Sequence, residues 1–387
     1  MIEPRAIGKG ILVLAIEVAL YLLLVVFMLA NATLSIAAFL LGFIVLGILF
    51  TKWKKANQQL TTLFKEMRGL AVAGFVVLLL TLPFAFSKSP YLIHICVMAG
   101  LYAILALGLN FQLGSTNVVN FATAASYGIG AYTSALLAVH FHVSFWLGLV
   151  ISGCVASLFG LILGIPCMKT KDYYLSLVTI AFGLIVYVLL INFSWTGGPN
   201  GVPNIPPPSL LGHSFREPIR LLGFVLPGQS NFFYLTVALV AGALLVAHRL
   251  HQSRVGLTWN AIREDEIAAR CQGIDVTWYK ILAFCIDAFF GGVTGTVYAH
   301  YIGFISPENF AFIVSVVVVT MVILGGMDNV FGVIIGAVLL TVLPEKFRAF
   351  EDFRLLMYGI VVVAMLMFRP QGLFPQKLRV YRISIPR

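Results

Sequence analysis

Long runs of apolar residues recur from one end of this chain to the other, and polar residues fall in short clusters between them. A bilayer core takes about 20 apolar residues of helix. Runs of that kind occupy 10–30, 34–50, 69–87, 91–113, 118–139, 145–166, 174–194, 232–250, 281–302 and 355–368. Two shorter runs, 312–324 and 330–344, flank the break Gly325-Gly326-Met327-Asp328-Asn329. The pattern predicts an all-α integral membrane protein, a polytopic helical bundle of about 10–12 spans with some broken or re-entrant helices. Because the runs are continuous and do not alternate, a transmembrane β-barrel is disfavoured.

Three zones follow from the same pattern. Residues 1–68 read as a two-span accessory unit ending in a basic linker. Residues 69–347 form the main body, with the densest glycine and the helix breaks, and residues 348–387 make a last span and a basic tail. The first apolar run is long enough to span and lacks a cleavage-site pattern, so a retained helix is expected. No convincing internal repeat is visible. At 60% hydrophobic and 10% charged residues, with 31 Phe, the chain is not a soluble globular protein.

The net charge of +10 raises the question of nucleic acid, but the location of the charges answers it differently. With the N-terminus in the cytoplasm, the inside segments are 1–9, 51–68, 166–173, 249–280 and 369–387. The outside segments then keep only Lys88, Arg216, Arg220, Lys346, Arg348 and Arg354 of the 25 Lys and Arg. The positive-inside rule accounts for that asymmetry without a nucleic-acid partner. It places both termini in the cytoplasm.

Little in the chain carries reaction chemistry. The five cysteines are odd in number and scattered, without a C-x-x-C pair, and read as small apolar residues of helices. His248 and His251 stand three residues apart at a membrane exit. With no acid or Cys close by in sequence, interfacial packing is preferred to a metal site. No Ser-His-Asp set or carboxylate pair is apparent, and no G-x-x-x-x-G-K-[ST] loop could cradle nucleotide phosphates. The chain is therefore not expected to be an enzyme, and no cofactor or metal is expected in it.

Two carboxylates lie inside apolar runs, where a charge is costly and needs a partner. Asp287 either meets a moving ammonium group or is hydrogen-bonded by a neighbouring helix or a partner chain, and Glu17 poses the same choice in the first span. Gly128 and Gly130, and Gly325 and Gly326, interrupt apolar runs. They either line a substrate path, where irregular backbone is tolerated, or let helices pack closely. The loop 195–231 is rich in Gly and Pro, "WTGGPNGVPNIPPPSLLG", and its fixed backbone suits an ordered docking surface; a disordered connector is the alternative.

One stretch breaks the apolar monotony, "AIREDEIAARCQGID" at 261–275, where Arg263, Glu264, Asp265 and Glu266 stand in a row. From Gly256 onward the composition favours a helix of roughly 16 residues, about 24 Å long. Gly273 stands where a left-handed cap would end it. Such a helix is too short and too charged to span, and three acids facing an anionic leaflet argue against simple adsorption to lipid. A docking role is expected instead.

Here the chain resembles a family. The "REDEIAA" stretch followed by "GID" looks like the coupling loop of ABC importer permeases, and the likeness is closest to branched-chain amino acid permeases of the LivM type. "GIGAYTSALL" (128–137), "TGGPNGVPNIPPPSL" (196–210), "YKILAFCIDAFFGGVTGTVYA" (279–299), "VILGGMDNVFGVIIGAVLL" (322–340) and "MFRPQGLFP" (367–375) carry the resemblance in order, over about residues 90–375. It implies a pore shared with a second homologous permease in the inner membrane. Two cytoplasmic ATPases would hydrolyse ATP, and an extracytoplasmic binding protein would deliver the substrate.

The coupling helix would then present Arg263, Glu264, Asp265 and Glu266, with Ala268 and Ala269 allowing close approach and Gly273 turning the chain back to the membrane. Gly197, Gly198, Pro199, Asn200 and Gly201 would meet the binding protein. Leu184, Tyr187 and the histidine-free "NVVNFATAASYG" depart from many relatives. A permease for urea or short amides is the nearest rival. An ion-coupled secondary transporter would leave 256–273 without a task, and an intramembrane enzyme would lack a visible nucleophile or metal cluster.

Overall fold

The computed structural model describes residues 4–29, 62–63, 66–170, 173–210, 212–221 and 224–346, with a few isolated positions from 356 to 374. In chain order the helices are α1 (Pro4–Leu29), α2 (Arg68–Ala85), α3 (Pro90–Leu113), α4 (Thr123–Phe141), α5 (Phe145–Cys167) and α6 (Tyr173–Asn192). Two 3₁₀ turns follow, Ser194–Thr196 and Gly198–Asn200, and then strands β1 (Ser209–Leu210), β2 (His213–Ser214), β3 (Ile219–Leu221) and β4 (Phe224–Leu226). The chain continues with α7 (Gln229–Gln252), α8 (Arg254–Glu264), α9 (Glu266–Cys271) and α10 (Val276–Ile302). A 3₁₀ turn at Pro307–Phe310 leads into α11 (Phe312–Gly325) and α12 (Val330–Lys346).

Among the described residues, eight helical segments are long and apolar enough to cross a membrane. They correspond to the expected runs with two instructive exceptions. The run at 118–139 begins as irregular backbone, and α4, 19 residues long, is not apolar enough to count among the eight. It is polar because protein covers it, not lipid: Thr123, Ser126, Tyr127 and Ser134 are all buried. The run at 312–324 reaches spanning length only by adding the preceding turn, giving Pro307–Gly325, while Val330–Glu345 remains a shorter apolar helix. The expected runs 34–50 and 355–368 lie outside the described residues, apart from isolated positions in the latter.

The chain folds as two compact units. One comprises Met1–His94, Pro218–Ser230 and Leu343–Glu351. In it α1 packs on α2, Lys9 and Glu66 form an ion pair at 2.7 Å, and the Thr81 hydroxyl donates to Tyr21 Oη at 3.2 Å. Gly74 on α2 makes room for the Glu17 carboxylate, which a Cβ there would strike. The outward face of α1 leaves Ile11, Leu20 and Leu22 exposed, an apolar surface suited to lipid. The antiparallel β3–β4 hairpin, in register Ile219↔Leu226, also belongs to this unit.

The second unit, Ile95–Glu217, Asn231–Val342 and Asp352–Arg387, is built around α10. Its Gly291 and Gly295 lie against Ser126 and Tyr127 of α4, and Ser134 of α4 reaches His300 near the end of α10, so the two helices run parallel. On the other side α5 runs antiparallel, with Gly164 beside Ile281, Gly160 beside Phe284 and Ala288, and Gly153 against the Phe289 ring. Small residues let these backbones approach closely, which is how helices gain van der Waals contact where lipid tails remove the hydrophobic drive.

Candidate functional site

The charged stretch that the sequence singles out folds as two helices in place of the expected single helix of roughly 16 residues. α8 has 11 residues and α9 has 6, and Asp265 stands between them in extended backbone, φ −156° and ψ 110°. The cause is local. The Asp265 carboxylate accepts the Ile267 and Ala268 N–H groups at 2.8 and 3.0 Å, so it caps a new helix and does not continue the old one. Ser253 caps α8 through the Gly256 N–H, and Asp275 caps α10 through the Trp278 N–H. Gly273 adopts φ +80°, the left-handed turn expected of it.

This pair of short helices is seated firmly on its own unit. Trp259 is fully buried, its indole N–H donates to the Tyr279 carbonyl at 2.9 Å, and its ring meets Phe111 at 5.7 Å. Ile262 and Ala269 are buried beside it. Glu266 accepts from Arg270 at 2.7 Å and from Lys280 at 2.6 Å, tying α9 to α10. Burial pushes the Glu266 carboxyl up, but the hydrogen bonds and charges of Lys280 and Arg270 outweigh it and hold the group below its ordinary value. Glu264, Asp265, Ile267 and Ala268 form an outward edge where the two helices meet, with Ile267 75% exposed.

Arg263 turns away from that edge. Its guanidinium lies 3.4 Å from Asp328, in the turn between α11 and α12. Asp328 is buried and holds φ +66°, a left-handed conformation that Asp tolerates better than most residues. Its carboxylate accepts the Ser115 hydroxyl at 2.8 Å, and its N–H donates to Asn110 Oδ1 at 2.8 Å. His251, at the end of α7, places Nδ1 3.8 Å from the same carboxylate. Ser115, His251, Arg263 and Asp328, with Asn260 and Gly256, line a small surface pocket. Sequence reading found no acid beside His251, because this one arrives from a distant turn. The only local signal was an Asp inside a glycine-rich break.

A second polar centre lies deep between helices. Asp287 sits about 17 Å along α10 from its first residue, and its Oδ2 accepts from Asn120 at 2.9 Å and Thr123 at 3.5 Å. Its Oδ1 has no hydrogen-bond partner among the described residues. The first turn of α4 therefore begins at the level of this carboxylate, where the helix's partial positive charge favours an acid. Two further hydroxyls complete that turn: Thr179 of α6 accepts the Phe121 N–H, and Ser315 of α11 accepts the Ala124 N–H at 2.9 Å. The glycines nearby are close contacts between protein elements. A Cβ on Gly130 would strike the Gly292 backbone, and one on Gly128 would press on the Phe310 ring. Gly325 stands equally close to Gly332, and Gly326 takes φ +112° beneath Phe374.

The glycine-proline loop is ordered through its backbone. Gly197, Gly198 and Gly201 have φ of +80°, +56° and +71°, so the two 3₁₀ turns need glycine at these places. Val202 and Ile305 exchange N–H···O bonds at 2.9 and 3.1 Å. His300, buried on α10, bonds the Pro206 carbonyl through Nδ1 at 2.6 Å and Ser134 through Nε2 at 2.9 Å. Pro199 and Asn200 are left exposed at the tip.

Comparison with known proteins shows the kind of protein that carries this seated helix pair, buried polar centre and ordered loop. The family described as branched-chain amino acid transport system / permease component matches residues 91–369. The chain belongs to that family. This permease is 40% identical over 321 residues to the high-affinity branched-chain amino acid transport system permease protein LivM of Salmonella typhimurium, covering 79% of this chain and 75% of that one. The corresponding LivM of Escherichia coli is 39% identical over the same length. The LivH permease of Escherichia coli is more distant, 24% identical over 291 residues, 70% of this chain and 90% of its own. No solved structure matches this permease.

Proposed function

We propose that this permease is one of two homologous membrane subunits of an ATP-driven importer of branched-chain amino acids in the cytoplasmic (inner) membrane. The observation that carries the reading is its 40% identity to a LivM permease across 79% of the chain. The weaker likeness to LivH supports a second homologous permease as its partner. In this reading ATP is hydrolysed by two separate cytoplasmic ATPases, and this chain holds no cofactor. The α8–α9 segment receives their stroke, with Glu264, Asp265, Ile267 and Ala268 at the contact and Glu266 fixing α9 to α10. Acids along such a contact set its orientation. The tip at Gly197–Gly201 receives the extracytoplasmic binding protein, and both termini are cytoplasmic. Substrate crosses beside the polar centre at Asp287, with Gly128, Gly130, Gly325 and Gly326 setting how closely the path's helices approach.

Deleting the gene and measuring uptake of radiolabelled leucine tests the proposal. Loss of uptake, restored by the gene and competed by isoleucine and valine, is the expected result. Competition by urea alone would move the assignment to an amide carrier. Uptake by the purified chain under a sodium or proton gradient, without ATPases, would overturn it.

A further inference from the structure

We infer that Asp328 is the joint that passes movement of the α8–α9 segment to α3 and to the α11–α12 turn, an inference that rests on the coupling role proposed for α8–α9. Four parts of the chain converge on this residue: Arg263 from α8, His251 from the end of α7, Asn110 and Ser115 from the end of α3, and the α11–α12 turn that bears it. Elsewhere α8 is held by the apolar burial of Trp259 and Ile262 and by the indole hydrogen bond to the Tyr279 carbonyl. The Arg263–Asp328 pair differs in kind. Asp328 is buried while Arg263 is a quarter exposed, and a buried carboxylate tolerates loss of its cationic partner poorly because it is then left uncompensated.

Stability alone gives little reason for such a pair, since well-packed apolar residues of similar volume commonly stabilise as much. Fixing the relative position of two elements is the better-attested use of buried polar groups. Asp328 fits that use because both its backbone and its side chain are engaged. Its N–H holds Asn110, its Oδ1 holds Ser115 and its Oδ2 faces Arg263. A pull on α8 therefore reaches the α11–α12 turn through one carboxylate, which also gives it a polar link to α3 beside the Trp259–Phe111 contact. In this chain Asp328 is a positioning residue, without a role at the substrate.

The test uses the whole complex, with its partner permease, ATPases and binding protein, in nanodiscs and proteoliposomes. Spin labels on Leu257→Cys of α8 and Phe331→Cys of α12, both exposed positions, report the span of the joint. The expected result is one distance in nucleotide-free and vanadate-trapped complexes, and a distance that changes on trapping once Asp328→Asn is added. Asp328→Asn is chosen because Asn tolerates the left-handed backbone and still accepts from Ser115. A distance that shifts on trapping in the parent, or stays fixed in Asp328→Asn, would overturn the joint.

The second readout is leucine moved per ATP hydrolysed. It should fall roughly fivefold or more in Asp328→Asn and in Arg263→Met, the lower end of usual coupling between sites. The double variant should fall no further, Arg263→Lys should recover part of the loss, and co-purification of the ATPases should be retained. Unchanged uptake per ATP, or loss of the ATPases from the complex, would overturn the inference. A parent complex that hydrolyses ATP yet moves no leucine refutes the substrate assignment instead, and the label distances still decide the joint.

Discussion

Glu266 shows how much of this permease is decided by single side chains. In a row of charges it reads as one more acid facing outward, yet it is the residue that ties α9 to Lys280 on α10. Its depressed titration gives the sign of a pH effect. A carboxyl held below its ordinary value in the folded state stabilises that state above the ordinary value of 4.5, and the contribution is lost as pH falls through the depressed one. The α9–α10 tie should therefore hold at neutral pH and loosen only on strong acidification. Amide exchange across Glu266–Cys271 measures this, with Glu266→Gln showing fast exchange already at neutral pH. Gly273 was legible because only a left-handed position calls for glycine there. Asp328 was not, since its partners Asn110, Ser115, His251 and Arg263 are brought together by tertiary structure alone.

At the scale of elements, apolar runs located the helices well, because spanning length is imposed by the bilayer itself. Two elements departed from the pattern for physical reasons. The run beginning at 118 starts as irregular backbone because Asn120, Thr179 and Ser315 satisfy the peptide groups that a longer helix would have satisfied internally. The charged helix divides because one acid in its middle is a better cap than a helix-interior residue. Replacing Asp265 with Ala should remove the α9 cap at a cost of about 1 kcal/mol. Exchange of the Ile267 and Ala268 amides should then quicken about fivefold. Unchanged exchange would mean that tertiary seating, through Ala269 and Glu266, holds α9 without its cap.

For the whole molecule, composition and run spacing conveyed the membrane class and the resemblance conveyed the family, which the match over residues 91–369 bears out. Sidedness rests on the distribution of Lys and Arg, and one native thiol makes it measurable. Cys271 is exposed on α9. A membrane-impermeant maleimide should label it in inside-out vesicles and leave it unlabelled in intact cells, with the modified peptide read by mass spectrometry. Labelling in intact cells would invert the topology and remove α8–α9 from any contact with cytoplasmic motors.

The glycine contacts along α10 carry a consequence for how such a carrier opens. With Gly292 against Gly130, Gly295 against Tyr127 and Gly160 against Ala288, no slack is left for α10 to slide past α4 or α5. Close packing of this kind predicts that the three helices move together as one body, which spin labels on α4, α5 and α10 would show as unchanging mutual distances. At the margin of this block the contacts change in kind, with the hydroxyls of Thr179 on α6 and Ser315 on α11 accepting backbone N–H groups at the start of α4.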